Sequence, residues 1–332
     1  KTTDRPAAAP GGDKLGVYVH IPFCKSKCDY CDFYSLAGRE EQMERYQKAL
    51  LSHIAETAPI AQVPVDTIYF GGGTPSLYGE KRLKEILAAL KKQLPVEKNA
   101  EITLEANPDS VDLRALRRLR KAGVNRLSLG MQSGCPQELE SVHRPHTVRQ
   151  VDEAVAAARK AKLNNVSLDL IYGLPGQTMD SWKATVEHAL SLIPQHLSCY
   201  GLKVEPGTPL YARQAEEDLP DDEAQADMYL YTVEYLAQNG YAQYEISNFA
   251  RPGRESRHNL KYWTLQEYAG FGPGAHSDFG GVRYAYEKDL EAYIHGVKNH
   301  MPLLSESERI PPLDRDTEWL MLGLRTVQGL DP

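Results

Sequence analysis

Three of the chain's five cysteines, Cys24, Cys28 and Cys31, lie within eight positions of one another in the stretch HIPFCKSKCDYCDFY. Thiolates are the usual protein ligands of iron–sulfur clusters, and three of them on one loop can bind three corners of a cubic 4Fe–4S cluster. The fourth iron is then open to a ligand that the protein does not supply. A structural zinc site is the alternative, with His20 or a remote residue as fourth ligand, because such sites are closed and four-coordinate.

Apolar segments typical of strands alternate with amphipathic segments along residues 15–202. The strands are predicted at 15–21, 65–70, 100–106, 125–131, 164–172 and 196–202, and the helices at 40–57, 79–93, 111–122, 147–162 and 178–191. A strand followed by a helix, repeated in this way, predicts βαβ units with a parallel sheet and the helices outside. Such units build an open barrel or a doubly wound sheet, and both bind ligands at the carboxyl ends of their strands.

Further residues that could bind a ligand lie at the carboxyl ends of the predicted strands. The segment GGGTP (71–75) follows the second strand, Glu105 and Asn107 close the third, Gln132 follows the fourth and Asp169 lies near the end of the fifth. The cysteine loop follows the first strand in the same way. Because the carboxyl ends of parallel strands meet at one rim, these features predict a single site there.

The composition argues against several classes of protein. The 332 residues carry a formal net charge of −7 and no sustained basic stripe, so nucleic acid is not an expected partner. The sequence holds no apolar run near the roughly 20 residues that a transmembrane helix needs. Clustered cysteines without a signal-peptide pattern favour a reducing, cytoplasmic location. Residues 1–13, rich in Ala, Pro and Gly, are predicted to be a flexible leader.

Several motifs, in the same order along residues 15–330, resemble one family. The cysteine motif, with Tyr30 before its last cysteine, resembles the signature of radical S-adenosylmethionine (SAM) proteins, in which the amine and carboxylate of SAM chelate the open iron. The segments YVHIPFC, YFGGGTPS, GMQS, DLIYGLPGQT and HNLKYW resemble the branch that contains oxygen-independent coproporphyrinogen dehydrogenase (HemN) and the HemW haem chaperones. The resemblance implies an α/β fold. It consists of a radical SAM partial (β/α)6 barrel over residues 14–203 and a smaller α+β or helical region over 204–332, cut short before its last helical domain.

The resemblance implies a 4Fe–4S cluster, SAM and haem as cofactors, with the three loop cysteines as cluster ligands. The residues that it assigns to SAM or to the surroundings of the cluster are Tyr18, Phe33, Gly72, Gly73, Thr74, Glu105, Gln132, Arg144 and Asp169. Among them, the glycines and Thr74 belong to the segment that receives the methionine amino group. By the same resemblance, Arg144 would pair with the SAM carboxylate, and Gln132 and Asp169 would lie near the ribose.

The second half of the chain carries one more motif of the branch. HNLKYW (258–263) resembles the haem-associated motif of HemW proteins, which makes His258 a candidate axial haem ligand and Tyr262 its neighbour. An acidic helix is predicted upstream, at about 222–239. The glycine-rich segment YAGFGPGAHSDFGG that follows the motif suits a lid over a flat aromatic ligand, and suits an ordinary surface loop equally well.

One departure from the dehydrogenase pattern separates the two activities of the branch. The dehydrogenase has a C-x-C extension after its third cysteine, whereas here Cys31 is followed by Asp32 and Phe33, as in HemW. The resemblance therefore implies a haem chaperone that transfers haem to recipient proteins, with a reductant such as flavodoxin or ferredoxin and homodimerisation on haem loading as an option. Two alternatives stay open: a radical SAM oxidoreductase that generates a 5'-deoxyadenosyl radical, and a zinc-stabilised binding module. Whether the protein is an enzyme is not decided by the sequence.

Overall fold

A computed structural model describes residues 14–57 and 63–330, so the predicted leader at 1–13 lies outside the described residues. Within these ranges the strands are β1 (Leu15–Ile21), β2 (Phe23–Cys24), β3 (Leu36–Ala37), β4 (Val65–Gly72), β5 (Val96–Ala106), β6 (Arg126–Gln132), β7 (Asn165–Tyr172), β8 (His196–Gly201), β9 (Ala242–Glu245), β10 (Asn248–Ala250), β11 (Tyr268–Phe271), β12 (His276–Phe279), β13 (Val282–Tyr286) and β14 (Leu304–Arg309). The helices are α1 (Met43–Thr57), α2 (Glu80–Gln93), α3 (Leu113–Ala122), α4 (Pro136–Ser141), α5 (Val148–Lys160), α6 (Met179–Ser191), α7 (Pro209–Arg213), α8 (Asp222–Gln238), α9 (Arg257–Trp263), α10 (Leu290–Lys298) and α11 (Pro312–Gly323).

Twelve of these strands form one sheet, in the order β14-β13-β12-β11-β1-β4-β5-β6-β7-β8-β10-β9. The strands β1, β4, β5, β6, β7 and β8 are neighbours in chain order and run parallel, as the repeated βαβ pattern predicts. Strand β11 adds a seventh parallel strand beside β1, and the remaining strands extend both edges in antiparallel fashion. Strands β2 and β3 pair separately, next to the cysteine loop.

The parallel strands have one apolar face and one largely polar face. The apolar face is buried in the main core under the helices, through side chains such as Val17, Val19, Ile68, Phe70, Leu104, Leu127, Leu129, Leu168 and Leu170. The intervening positions point to the opposite face, because successive side chains of a strand alternate. That inner face carries Tyr18, Tyr69, Glu105, Ser128 and Asp169, and several of these line a cavity. A polar interior of this kind suits a bound ligand better than the packed, branched core of a closed barrel.

The helices that cover the sheet begin and end at residues suited to those positions. Thr147 caps α5 in a capping box with Gln150, and Thr178 caps α6 in the same way with Ser181. Helix α3 is capped at its carboxyl end by Gly123, whose φ of 123° is a conformation that favours glycine. No helix in the described part of the chain is long and apolar enough to cross a membrane.

Each strand and helix predicted for residues 15–202 is present, with bounds that differ from the prediction by no more than four residues. The largest difference is β5, which begins at Val96 rather than at residue 100. The acidic helix predicted at 222–239 is α8. The predicted α/β fold class is confirmed by the six parallel strands that alternate with helices, with an extension after residue 203.

The chain after residue 203 extends both edges of the same sheet. Strands β9 and β10 lie beside β8, and β11 to β14 lie beside β1. In the helical layer, α8 packs against α6 and α10 against α1. The glycine-rich segment that suited a lid or a surface loop is instead the pair β11 and β12, so both of those interpretations are wrong. A Cβ on Gly270 would clash with the carbonyl oxygen of His276, which explains the glycine there.

Candidate functional site

A cavity of about 370 Å³ lies at the carboxyl ends of the parallel strands, beneath the cysteine loop. This is the rim that the strand ends predict. The predicted site residues that line the cavity are Cys24, Cys28, Cys31, Phe33, Gly72, Gly73, Thr74, Glu105, Gln132, Arg144 and Asp169. The structure therefore gathers most of the predicted residues around one space, from five different strands (β2, β4, β5, β6 and β7) and from loops.

The cysteine loop is anchored through Asp29, which lies between its second and third cysteines. The Asp29 carboxylate accepts a hydrogen bond from Nδ1 of His143 at 2.7 Å and a second one from the Arg213 guanidinium. The Asp29 carbonyl accepts from the backbone N–H of Leu210 at 2.9 Å. Arg213 and Leu210 belong to α7, so the C-terminal part of the chain holds the loop in place.

The three thiols differ in burial and in their hydrogen-bond donors. Cys28 is buried, whereas Cys24 and Cys31 are half-buried, and burial raises the pKa of both of these thiols. The Thr74 hydroxyl lies 3.5 Å from Sγ of Cys24, and Nη1 of Arg144 lies 3.2 Å from Sγ of Cys28. Donors at this range stabilise thiolates, which are the form that binds metal.

His20, which the sequence suggested as the fourth ligand of a zinc site, is not free to bind a metal ion. Nδ1 of His20 is hydrogen-bonded to the Tyr18 hydroxyl at 3.0 Å, and Nε2 lies 2.9 Å from the carbonyl oxygen of Tyr34, so neither nitrogen is free. Among residues 14–57 and 63–330, no three histidine, cysteine or acidic side chains converge as they would around one metal ion. A 4Fe–4S cluster does not require such convergence, because each thiolate binds a different iron.

The glycine segment passes against the cysteine loop at a distance that leaves no room for side chains. A Cβ on Gly73 would lie 2.7 Å from the carbonyl oxygen of Phe23 and 3.0 Å from Sγ of Cys24. Gly72 has a φ of 114°, which residues with a Cβ rarely adopt. The N–H groups of Gly73 and Thr74 donate to the carbonyls of Ile21 and Phe23 at 2.8 and 2.7 Å. Glycine is therefore needed here for a close approach of two loops.

Glu105 sits at the centre of a small hydrogen-bonded group in the cavity. Its carboxyl oxygens accept from the Tyr69 hydroxyl at 2.7 Å and from the Gly72 N–H at 3.2 Å. Burial raises the pKa of Glu105 to about 7, and the nearby Asp169 carboxyl adds to the rise. Glu105 can therefore gain or lose a proton near neutral pH, and a cationic ligand would favour its ionised form.

Asp169 and Gln132 stand on neighbouring strands across the cavity. Asp169 accepts from the Ser128 hydroxyl at 2.9 and 3.1 Å and from the Ser167 hydroxyl at 3.3 Å. Burial raises the pKa of the Asp169 carboxyl, and the hydroxyl donors oppose that rise. Gln132 ends β6 at an irregularity of the strand pairing, with a φ of 63° that is uncommon for a residue with a side chain. Backbone strain of this kind is concentrated at ligand sites.

Arg144 reaches the cavity between the cysteine loop and β6. Its Nη2 donates to Oδ1 of Asn107 and to the carbonyl of Gly130, both at 3.0 Å. A Cβ on Gly130 would lie 2.9 Å from Nη2 of Arg144 and 2.8 Å from Nε2 of Gln132, so the glycine makes room for both side chains. Nε of Arg144 is buried without a hydrogen-bond partner in the structure. An unpaired donor on a guanidinium is available for an anionic ligand.

Three predicted residues do not line the cavity: Tyr18, His258 and Tyr262. Tyr18 lies beneath it and stacks on Tyr69, with ring centroids 6.2 Å apart. His258 and Tyr262 lie near the amino-terminal ends of the strands, where Nδ1 of His258 meets the Thr67 hydroxyl at 2.8 Å and Nε2 meets the Tyr262 hydroxyl at 2.7 Å. The His258 side chain is fully buried, and burial lowers its pKa to about 3. The structure therefore separates this histidine from the cysteine rim.

Sequence reasoning missed several cavity residues. Tyr69, Arg126, Tyr200 and Asn259 all line the space. Arg126 is 1% exposed, lies at the start of β6, and its Nε has no hydrogen-bond partner among the described residues. The alternation of side chains along β6 could have identified Arg126, because it lies on the same face as Ser128 and Gln132. Nothing in the sequence pattern indicated that Asn259 reaches the cavity.

The residues present fit a cluster and a polar, charged ligand of nucleoside size. Three thiols with nearby donors can hold three irons, and the cavity volume is in the range of small-molecule sites. The unpaired Nε of Arg144 suits a carboxylate, and Glu105 and Asp169 suit ammonium and hydroxyl groups. This donor set agrees with the roles that the resemblance assigns.

Comparison with known proteins now defines the class. Residues 18–189 match the radical SAM superfamily, and the chain is a member of that superfamily. Membership implies a 4Fe–4S cluster and SAM as cofactors. HemN from Escherichia coli, described as a coproporphyrinogen III oxidase and a radical SAM enzyme, has a similar structure with a TM-score of 0.84 and 26% identity. The match covers 95% of this chain and 76% of that one.

Curated relatives define the family within the class. The chain is 37% identical to the heme chaperone HemW of Bacillus subtilis (strain 168), over 94% of this chain and 84% of the relative. It is 38% identical to the HemW of Lactococcus lactis subsp. lactis (strain IL1403), over 94% of this chain and 82% of the relative. A bovine relative, the mitochondrial radical S-adenosyl methionine domain-containing protein 1, is 35% identical over 97% and 75% of the two chains. The chain belongs to the HemW family, which confirms the resemblance seen in the sequence.

Proposed function

We propose that this protein is a haem chaperone that holds a 4Fe–4S cluster and SAM at the rim of its barrel, binds haem and transfers it to recipient proteins. The observation that carries the proposal is the 35–38% identity to proteins named heme chaperone HemW over at least 94% of the chain. The replacement of the dehydrogenase C-x-C extension by Cys31-Asp32-Phe33 supports the same choice.

The cavity residues would hold the two cofactors. Cys24, Cys28 and Cys31 would bind the cluster, and Arg144 would take the SAM carboxylate with its free Nε. The other SAM contacts would come from Gly72, Gly73, Thr74, Glu105, Gln132 and Asp169. When bound, the cluster and SAM supply one-electron chemistry that side chains cannot provide. The protein's own part is to orient SAM and to keep water from it.

The apolar rim of the cavity is the surface that we propose for the first contact with haem. Phe33 is 66% exposed and Tyr200 is 41% exposed, and both line the mouth of the cavity with Leu202. Exposed aromatic rings beside a charged cavity suit a flat porphyrin with anionic substituents. We also propose His258 as an axial ligand of the haem iron, which requires a change in its hydrogen bonds. One of its ring nitrogens would have to leave its partner, Thr67 or Tyr262, to bind the iron, while the other could keep its hydrogen bond.

The partners in this proposal are haem, the recipient proteins and a reductant such as flavodoxin or ferredoxin. Cys24 and Cys31 are half-buried at the rim, which would leave the cluster within reach of an electron donor. A homodimer formed on haem loading would cover exposed rim residues such as Phe33. We also place the protein in the cytoplasm. The five described cysteines are unpaired, as expected in a reducing compartment.

A second candidate function is a porphyrinogen-oxidising radical SAM enzyme. The structural similarity to HemN, which covers 95% of this chain, favours it. The two functions differ in their products, since an oxidoreductase would consume SAM in proportion to substrate and form 5'-deoxyadenosine. A chaperone would bind haem and leave coproporphyrinogen unchanged.

The test is to reconstitute the cluster anaerobically, add SAM, reductant and haem, and record haem binding together with 5'-deoxyadenosine, with and without coproporphyrinogen III. One haem per chain and no oxidised porphyrin is the expected result. Substrate-dependent 5'-deoxyadenosine together with protoporphyrinogen would establish the enzyme instead. Absence of haem binding would overturn the chaperone proposal.

Two matched variants test the proposed haem surface. Phe33→Ser should weaken haem binding by about fivefold, because it removes an apolar contact worth about 1 kcal/mol. Leu313→Ser, at an apolar side chain that is 75% exposed on α11, should leave the affinity unchanged. Equal haem affinities in the two variants would show that Phe33 and the rim around it do not contact haem. The ligand role of His258 predicts that His258→Ala shifts the Soret band of bound haem while the cluster content stays constant.

A further inference from the structure

We infer that helix α9, which carries the HNLKYW motif, forms the floor of the SAM pocket, with Asn259 facing the bound cofactor and His258 positioning the Tyr69–Glu105 pair. This role is separate from the haem role that the motif suggests. It deepens the proposed function and rests on it, because it takes the cavity to be the site of SAM.

The first observation is a continuous line of contacts from α9 to the glycine segment. The His258 ring stacks on the Tyr69 ring, with centroids 5.1 Å apart and planes at 26°. The Tyr69 hydroxyl donates to one carboxyl oxygen of Glu105 at 2.7 Å, and the other oxygen accepts from the Gly72 N–H at 3.2 Å. A shift of the imidazole would therefore move the tyrosine that holds Glu105 in place.

The second observation is that α9 also reaches the cavity directly. Asn259 follows His258 and lines the same space as Arg144 and Asp169. Its backbone N–H donates to the Ser256 hydroxyl at 3.4 Å, and its side chain has no hydrogen-bond partner among the described residues. An amide that faces a cavity with both its oxygen and its NH2 group free can bond to a ribose or an adenine.

The third observation is the way the fold fixes α9. The Glu101 carboxylate of β5 accepts from the backbone N–H groups of Arg257 and His258 at 3.2 and 3.1 Å. Lys261 is 2% exposed and pairs with Asp66 at 2.9 Å. At Gly16 of β1, a Cβ would lie 2.8 Å from Cδ of Lys261, so the strand is built to let the helix approach. A helix held by buried charges on two strands, and packed closely against a third, is a rigid support.

Several charged or titratable groups surround Glu105 and affect its proton. They are Tyr18 on β1, Tyr69 on β4, Arg126 on β6, Asp169 on β7 and Tyr262 on α9. The hydrogen bond from Tyr69 lowers the pKa of Glu105, against the rise that burial produces. Loss of that bond should therefore raise the pH at which Glu105 ionises. The pH dependence of SAM affinity can therefore separate a positioning role of His258 and Tyr69 from a general effect on folding.

The experiment is to measure SAM affinity of the reconstituted protein by calorimetry, without haem, from pH 6 to 8. The variants are His258→Ala, His258→Phe, Tyr69→Phe and Asn259→Ala, with His295→Ala as an exposed histidine control on α10. His258→Ala, Tyr69→Phe and Asn259→Ala should each weaken SAM binding by about tenfold, the effect of one lost hydrogen bond or stacking contact. His258→Phe keeps the stacking and should recover most of the affinity, and the control should not differ from the native protein.

A second expected result is a shift of the pH midpoint of SAM affinity to higher pH in His258→Ala and in Tyr69→Phe. Unchanged SAM affinity in Asn259→Ala and Tyr69→Phe would overturn the inference even if His258→Ala fails to fold. Absence of SAM binding by the native, reconstituted protein would instead overturn the proposed function. The two failures are therefore distinguishable.

Discussion

The carboxyl rim and the amino-terminal floor of the partial barrel hold their charged and titratable side chains in different ways. At the floor, Lys261 is buried against Asp66, and both ring nitrogens of His258 have partners. At the rim, Nε of Arg144 has no partner and Glu105 has its pKa raised to about 7 by burial. Satisfied buried polar groups stabilise a fold, whereas open or perturbed ones mark the place where a ligand binds.

The comparison changes the meaning of the motifs. The cysteine, glycine and arginine motifs lie at the open end, where their chemistry can reach a ligand. The HNLKYW motif lies at the closed end, and its polar side chains first complete the barrel. A motif that resembles a ligand site can therefore act by supporting one.

The largest expected effect is at the rim. Cys28→Ala should reduce the iron and sulfide content of the reconstituted protein to background, because a cluster held by three cysteines cannot spare the buried one. Cys135→Ala is the control, since this cysteine lies outside the loop and contacts Gln137. Retention of full iron and sulfide in Cys28→Ala would show that the rim does not hold a cluster.

The next effect tests the floor. Lys261→Met should lower the free energy of unfolding by about 3 kcal/mol, because it leaves the Asp66 carboxylate buried with less of its charge compensated. Arg45→Met removes an exposed ion pair with Glu291 and should change the free energy of unfolding by less than about 1 kcal/mol. Urea titrations of the cluster-free proteins measure both. Equal losses of unfolding free energy in the two variants would mean that the buried Lys261–Asp66 pair contributes no more to stability than the exposed Arg45–Glu291 pair.

The pH dependence of stability tests the perturbed carboxyl at the rim. The folded protein binds the Glu105 proton more tightly than the unfolded chain, since the folded pKa is about 7 and the ordinary value is 4.5. The stabilisation from this group is complete below about pH 4.5 and is lost as the pH rises to about 7. Between pH 4.5 and 8, the free energy of unfolding of the native protein should fall by on the order of 2–3 kcal/mol relative to that of Glu105→Gln. Parallel stability curves would contradict the shift.

The smallest effect concerns backbone strain. Gln132→Gly should raise the free energy of unfolding by up to about 1 kcal/mol, because glycine adopts a positive φ without strain, while SAM affinity falls. Lys162→Gly is a matched control, because Lys162 has the same φ of 63° at an exposed position. It should raise the free energy of unfolding by a similar amount and leave SAM affinity unchanged. If both variants bind SAM equally well, Gln132 does not contact the cofactor.

Local patterns of the sequence were enough to predict the parallel half of the sheet. Alternation of strands and helices predicts β1 and β4 to β8 in order, and the strand ends predict which residues share the rim. The pairing of β11 with β1 could not be predicted in this way. The two strands are about 250 residues apart in the chain, and only tertiary packing brings them together.

The site was predictable where motifs and strand ends coincide, and not where a distant segment contributes. Arg144, Glu105 and Asp169 follow from motif and position. Asn259 does not, because it reaches the cavity from a short helix under the barrel whose place depends on Lys261 and Asp66. The buried position of His258 likewise depends on packing, which a sequence motif does not record.

The most direct test of the account is the electron paramagnetic resonance spectrum of the reduced, reconstituted cluster with and without SAM. The account predicts that SAM changes the spectrum of the native protein, because the three cysteines leave one iron open to an outside ligand. A spectrum that SAM leaves unchanged at saturating concentration would contradict the claim that the rim joins cluster and SAM in one site.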